Sequence, residues 1–108
     1  MTERLPSQVL VSAMLRRVND AGGFGTVLAK GDPQAGAILV VAREPAGAIR
    51  LLERGIQPDG RAGLIDSTPS DEPESYWRRR RSRDPDLWVI ELDIADSERF
   101  AAETIGFD

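Results

Sequence analysis

Residues 37–54, AILVVAREPAGAIRLLER, contain two runs rich in Val, Ile and Leu that are separated by a short segment with Pro and Gly. Aliphatic runs on either side of such a segment are typical of two strands joined by a tight reversal. The runs at 37–43 and 48–54 are therefore predicted to form an antiparallel pair. A third run, GTVLAK at 25–30, is followed by a second turn segment, GDPQAG at 31–36. Together the runs predict a three-stranded antiparallel meander.

An N-terminal helix is predicted from Ser7 to Ala21, because apolar residues recur there at helical spacing and a Gly pair then provides a stop signal. The apolar positions are Leu10, Val11, Met14, Leu15 and Val18. The β-branched residues Val9 and Val11 leave an alternative open, in which a short strand begins the chain and the order of elements is ferredoxin-like.

A second helix is predicted to begin at Pro73, which suits the first turn, and to end at Asp84, because the following Pro85 disfavours the α region there. The segment from Gly55 to Asp71 between the third strand and this helix is predicted to be a loop, with a turn at Pro58 to Gly60. No strand is expected in that loop.

After the second helix, the residues from Leu87 to Ile94 alternate between apolar and polar and predict a half-buried strand in the same sheet. Trp88 lies on the apolar face and is predicted to be buried, whereas Glu91 and Asp93 lie on the polar face. A last short helix is predicted from Ser97 to about Thr104. The fold class is therefore α+β.

The composition fits one globular domain spanning 1–108, since 41% of the residues are hydrophobic and 30% are charged. No apolar stretch approaches the roughly 20 residues that span a bilayer. Arg16 and Arg17 interrupt the first apolar run, so no secretory signal is recognised. We therefore expect a cytoplasmic protein without a membrane partner.

The chain has no Cys and no His, which excludes zinc sites of the Cys/His kind and Ser-His-Asp or Cys-His catalysis. A Walker A loop is excluded because Ala37 and Ile38 follow Gly36 where Lys and Ser/Thr are required. The acids Asp86, Glu91 and Asp93 have no Lys after them, unlike those of metal-dependent nucleases. We predict no catalytic residue, no cofactor and no metal.

Five arginines lie between residues 78 and 83, directly after Tyr76 and Trp77. Residues on a helix are about 100° apart, so the arginines spread around most of the circumference. Arg80 follows Tyr76 by four residues and Arg81 follows Trp77 by four. Both arginines are therefore expected to lie along the edge of the core. The candidate residues for binding an anion or a partner are Arg78, Arg79, Arg83 and Trp77.

Two interpretations of the arginine cluster remain open. The arginines could pair within the chain with the acidic segment at 84–108, which contains Asp84, Asp86, Glu91, Asp93, Asp96, Glu98, Glu103 and Asp108. Alternatively, some of them could remain free for an external anion. An acid such as Asp59 or Asp66 converging with Arg80 or Arg81 in a concave pocket would indicate a ligand site or an enzyme, and a flat or convex arginine face would indicate an interaction module.

The segments VSAMLRRVNDAGG (11–23), KGDPQAGAILV (30–40) and DPDLWVIELD (84–93), in this order and spacing, resemble domain-of-unknown-function family 1491. The resemblance covers nearly the whole chain and implies a small bacterial protein, but it implies no activity and no site residues.

The favoured function is a non-enzymatic interaction module that uses the arginine helix. An acidic protein surface is the expected partner, and nucleic acid ranks below it because the pI is about 4.8. A carboxylate and arginine enzyme, or a site for a small anion such as phosphate or for nucleic acid, is the alternative. The oligomeric state is left open.

Overall fold

The computed structural model describes residues 5–106 of the 108-residue chain. The elements in chain order are α1 (Ser7–Asp20), β1 (Phe24–Ala29), β2 (Ile38–Arg43), β3 (Ile49–Ile56), β4 (Ala62–Asp66), α2 (Pro73–Arg83), β5 (Trp88–Asp93) and α3 (Ser97–Ile105). This order confirms the predicted α+β class with its N-terminal helix, arginine-rich helix and final strand. Because α1 is helical from Ser7 onwards, the ferredoxin-like alternative, which required a strand there, is wrong.

The five strands form one sheet in the order β1-β5-β2-β3-β4. A three-stranded antiparallel meander is present, but it consists of β2, β3 and β4 rather than β1, β2 and β3. The prediction that β1 lies next to β2 is wrong, because β5 lies between them, antiparallel to β1 and parallel to β2. In this position β5 is covered on both faces: Trp88, Ile90 and Leu92 lie in one core and Val89 in the other, and only the end of that second face carries the charged Glu91 and Asp93.

The sheet is covered on both faces. The larger core lies between the sheet and the helices α1 and α3, and it includes Met14, Val40, Trp88, Ile90 and Phe100. The smaller core lies under α2 and includes Leu39, Val41, Leu51, Trp77, Leu87 and Val89. Trp88 is 3% exposed, so the prediction that it is buried is confirmed.

The segment predicted to be a loop from Gly55 to Asp71 contains a strand. β3 extends to Ile56, and β4 pairs with it from Ala62 to Asp66. The turn at Pro58 to Gly60 is confirmed, since the Gly60 N–H donates to the Gln57 carbonyl at 2.9 Å and Gly60 has a φ of 87°. The turn therefore joins a hairpin that the short, Gly-containing sequence of β4 did not reveal.

Candidate anion-binding surface on helix α2

Helix α2 is attached to the sheet mainly through one indole ring. Pro73 lies in its first turn, and Asp84 ends it with a φ of −130°, outside the α region. Trp77 is 8% exposed and packs into the smaller core, and it is the one residue of this helix that is buried. Trp77 therefore fixes the helix to the sheet and exposes little of its ring to solvent.

Arg80 holds the same helix to strand β3. Its Nη1 lies 2.6 Å from Oε2 of Glu53, and the side chains are 30% and 16% exposed. The hydrogen bond to Glu53 raises the pKa of Arg80 against the lowering effect of burial, with the charge of Glu53 adding to the increase. The sequence offered no signal for Glu53 beyond an acid within an aliphatic strand.

Arg81 also points into the protein. Its Nη2 donates to the Lys30 carbonyl, which follows β1, at 2.8 Å. Its Nε is buried and has no hydrogen-bond partner in the part of the chain that the structure describes. The prediction that Arg80 and Arg81 lie along the core edge is thus confirmed, although the partner of Arg81 is a carbonyl and not an acid.

Arg78 is held loosely at the surface. Its Nη2 lies 3.4 Å from Oε1 of Glu74, one turn earlier, and both side chains are about two-thirds exposed, at 66% and 67%. Its guanidinium also lies 5.0 Å from the centre of the Trp77 ring. An exposed i,i+4 pair is worth only about 0.3–0.5 kcal/mol, so Arg78 can exchange Glu74 for another anion.

Arg79 and Arg83 are exposed and, within residues 5–106, contact no acid. Measured around the helix from the buried Trp77, they lie at about 200° and 240°, on the side away from the sheet. Their four-residue spacing places the two guanidinium groups on neighbouring turns. We call Arg78, Arg79 and Arg83 the outer arginine surface.

The interpretation in which the acids at 84–108 pair with the arginine helix is wrong for the described residues, since no such pair occurs among them and three of these acids pair with cations on other elements. The three pairs are Glu91 with Arg43 at 3.2 Å, Glu98 with Arg50 at 3.3 Å, and Glu103 with Arg17. Asp108 lies outside the described residues. The helix takes its acids from β3 and from its own first turn instead.

The acids of the β3–β4 hairpin line a cavity that does not include the arginines of α2. The cavity beside Asp59 and Asp66 is lined further by Gln57, Pro58, Leu64 and Ile65, without Arg80 or Arg81.

The pKa of Asp66 lies below its ordinary value. Partial burial raises this pKa, but hydrogen bonds from the Thr68 hydroxyl and N–H, together with the charge of the nearby Arg50, lower it by a larger amount.

Residues 5–106 lack two further kinds of feature. No cluster of three or more acidic side chains there could hold a metal ion. None of the helices in that range is long and apolar enough to cross a membrane.

Comparisons with known proteins place the chain in a family. A family model described as "Protein of unknown function (DUF1491)" matches residues 5–102. The crystal structure of a DUF1491 family protein from Caulobacter crescentus CB15 is 34% identical, with a TM-score of 0.78 over 90% of this chain and 94% of that chain.

An NMR structure of a DUF1491 family protein from the same organism is 35% identical, with a TM-score of 0.76 over 92% of this chain and 94% of that chain. A solution structure from A. tumefaciens is 33% identical, with a TM-score of 0.68 over 84% of this chain and 86% of that chain. The search of curated proteins gave no match. With the family model matched from residue 5 to residue 102, the chain belongs to the DUF1491 family of proteins of unknown function.

Proposed function

We propose that this protein is a non-enzymatic interaction module whose outer arginine surface binds an acidic segment of a protein partner. The observation that carries the proposal is the exposure of Arg79 and Arg83 on a helix that Trp77 and Arg80 hold in place, with no acid against either side chain within residues 5–106. A rigid base reduces the ordering that binding requires.

Within the outer arginine surface, Arg79 and Arg83 favour the binding of an anion between them. Like charges four residues apart destabilise a helix by roughly 0.2–0.5 kcal/mol, and an anion that contacts both guanidinium groups offsets this repulsion. Each guanidinium can hold a carboxylate through two parallel hydrogen bonds, which gives the contact direction as well as charge. A segment with two Asp or Glu residues about one helical turn apart fits this arrangement.

A protein partner suits the electrostatics better than nucleic acid does. The chain carries a net charge of −4, which opposes the long-range attraction on which phosphate-backbone binding depends. Glu74, Asp84 and Asp86 lie close to the arginines along the chain and would repel a continuous row of phosphates. A protein surface can place a few carboxylates opposite the arginines and its own cations opposite these acids.

The test compares two double variants with the same change in charge. In the first, Arg79→Gln is combined with Arg83→Gln; in the control, Arg16→Gln is combined with Arg61→Gln, both of which are exposed. Each variant lowers the net charge of −4 by two, to −6. Both should fold with stabilities within about 0.5 kcal/mol of the wild type, because the changes are at the surface.

The variants serve as baits in nuclease-treated lysate of the source cells, with cross-linking and quantitative mass spectrometry. We expect a partner that the wild type and the control capture and that the Arg79/Arg83 variant loses by about tenfold or more, as for two contacts of Arg at an interface. Equal capture by both double variants would contradict the proposal. A partner that the wild type captures from untreated lysate but not from nuclease-treated lysate would indicate nucleic acid and would contradict the proposal as well.

A further inference from the structure

Strand β1 leaves one edge of the sheet open. Within residues 5–106 it pairs with β5 alone, so its other side has no neighbouring strand. Its sequence, FGTVLA, contains no charge and no Pro, which are the residues that usually protect such an edge. Three of its side chains are exposed large hydrophobics: Phe24 at 73%, Val27 at 40% and Leu28 at 38%.

The outward-facing backbone groups of β1 can be identified. The Gly25 N–H donates to Oδ1 of Asn19 at 3.1 Å, so it points away from β5. Hydrogen-bonding direction alternates along an antiparallel strand, and the N–H and C=O of Val27 therefore also point outward. The pairing with β5 becomes irregular between Val27 and Ala29, which limits the regular edge to residues 24–27 and places Leu28 at the irregularity.

We propose that β1 pairs with β1 of a second copy of this chain, antiparallel and symmetric about Thr26. In this register Gly25 faces Val27 of the second copy, and the outward N–H and C=O groups of both residues are exchanged between the chains. The Gly25 N–H then gives up the Asn19 side chain for the Val27 carbonyl. The Thr26 residues meet at the symmetry axis as a pair without backbone hydrogen bonds between them.

The side chains of β1 complement themselves in this register. Thr26 lies opposite Glu91 of β5, and Leu28 lines a small cavity together with Glu91 and Trp77, so both are on the α2 face. Phe24 shares this face by the alternation of the strand and comes to lie opposite Leu28 of the second copy. On the other face Leu15 of α1 covers Gly25, so Val27 of the second copy comes to lie beside Leu15.

The lack of charge on β1 favours a second copy over a charged peptide. An acidic or basic segment would find no opposite charge on residues 24–29, whereas a second β1 brings no like charge and matches each exposed apolar side chain. The pairing is isologous and closes after two chains, so it produces a dimer and not a fibre. This edge is separate from the outer arginine surface.

The dimer should be weak. A single pair of short strands buries less than the roughly 800 Å² per partner of stable interfaces, so we expect a dissociation constant between about 10 μM and 1 mM. Sedimentation equilibrium of the wild type up to about 1 mM measures it. A wild type that stays monomeric throughout this range overturns the proposal.

Charge variants at the symmetry axis test the register. Thr26→Lys and Thr26→Glu should each weaken self-association by about tenfold or more, because like charges would face each other. An equimolar mixture of the two should restore it. Thr26 is exposed, so both variants should keep the wild-type circular dichroism spectrum. The matched controls, Ser12→Lys and Ser12→Glu on α1, should associate as the wild type does.

A cross-link provides an independent measurement. The chain has no cysteine, so Thr26→Cys introduces a single thiol, and facing Cα atoms of such a pair lie about 4.5 Å apart, within disulfide range. Mild oxidation should give a covalent dimer much faster than for Ser12→Cys. Equal oxidation rates overturn the proposal. Self-association that is weakened in the Ser12 variants and not in the Thr26 variants overturns it as well. So does a mixture of Thr26→Lys and Thr26→Glu that fails to associate.

Discussion

Glu53 on β3 accepts a hydrogen bond from Arg80 on α2, with 2.6 Å between Oε2 and Nη1. Together with the buried Trp77, this contact attaches α2 to the sheet at two points about one turn apart. The orientation of Arg79 and Arg83 depends on both attachments. Trp77 and Arg80, which point towards the sheet, thus position the exposed Arg79 and Arg83.

Replacing Arg80 by Gln should destabilise the protein by about 1.5–3 kcal/mol, because Glu53 would lose a hydrogen bond from a charged group in a partly buried site. Urea unfolding measures the free energy. Arg79→Gln is the matched control and should change it by no more than about 0.5 kcal/mol. In a double-mutant cycle with Glu53→Gln, the double variant should be destabilised by about 0.5–3 kcal/mol less than the sum of the two single variants. A double variant whose destabilisation equals that sum would contradict a direct interaction.

Replacing Arg81 by Gln should destabilise the protein less than the change at Arg80 does. The variant loses the hydrogen bond to the Lys30 carbonyl, worth about 1 kcal/mol, but it also removes the buried Nε that has no partner in residues 5–106. We therefore expect destabilisation to decrease from Arg80 to Arg81 to Arg79. Thermal melts of the three single variants check the order, and a larger effect at Arg81 would contradict it.

Trp88→Ala should destabilise the protein by about 3–5 kcal/mol, because it removes a large side chain from the core between the sheet and α1. Trp88→Phe separates packing from hydrogen bonding. It keeps most of the apolar ring but leaves the Asp32 carbonyl without the indole N–H that donates to it at 2.7 Å, at a cost of about 1–3 kcal/mol. An unchanged melting temperature for Trp88→Ala would contradict a structural role.

Gly36→Ala should be more destabilising than Gly47→Ala. A Cβ at Gly36 would lie 2.1 Å from the Asp86 carbonyl oxygen, so backbone must move, and we expect a loss of about 3 kcal/mol or more. Gly47 has open space around it but a φ of 93°, which costs an L-residue about 1–2 kcal/mol. Chemical denaturation of both variants measures the difference, and equal losses would contradict the close contact.

Asp66 should contribute to acid sensitivity. Its pKa is lower in the folded protein than in the unfolded chain, so its stabilisation is present above the ordinary Asp pKa of about 3.9 and is lost as the pH falls through the lower folded pKa. Asp66→Asn keeps an acceptor for Thr68 but does not titrate. Its melting temperature should therefore fall less than that of the wild type between pH 6 and pH 2, a range chosen to span about two units on either side of that pKa.

The exposed Asp71→Asn is the matched control for this measurement, and it should follow the wild-type pH dependence. An Asp66→Asn profile that is parallel to the wild type over the whole range would contradict the prediction.

The features that the sequence by itself determined are local ones. The helical spacing from Leu10 to Val18 defines α1, and Pro73 and Asp84 set the limits of α2 through the restricted geometry of proline and of the residue before it. The four-residue spacing from the aromatic pair likewise separated Arg80 and Arg81 from the outer arginines. Each depends only on residues within about one or two turns of one another.

The tertiary structure alone decided which segments are neighbours. Strand β5 lies between β1 and β2 because it returns after α2 has crossed the sheet, and its apolar residues pack into the cores on both faces. In that position of β5, Glu91 pairs with Arg43, whereas Arg80 of α2 pairs with Glu53 of β3. Strand pairing joins edges that are far apart in the chain, and the free energy of each pairing depends on what covers both faces, so no local pattern specifies it.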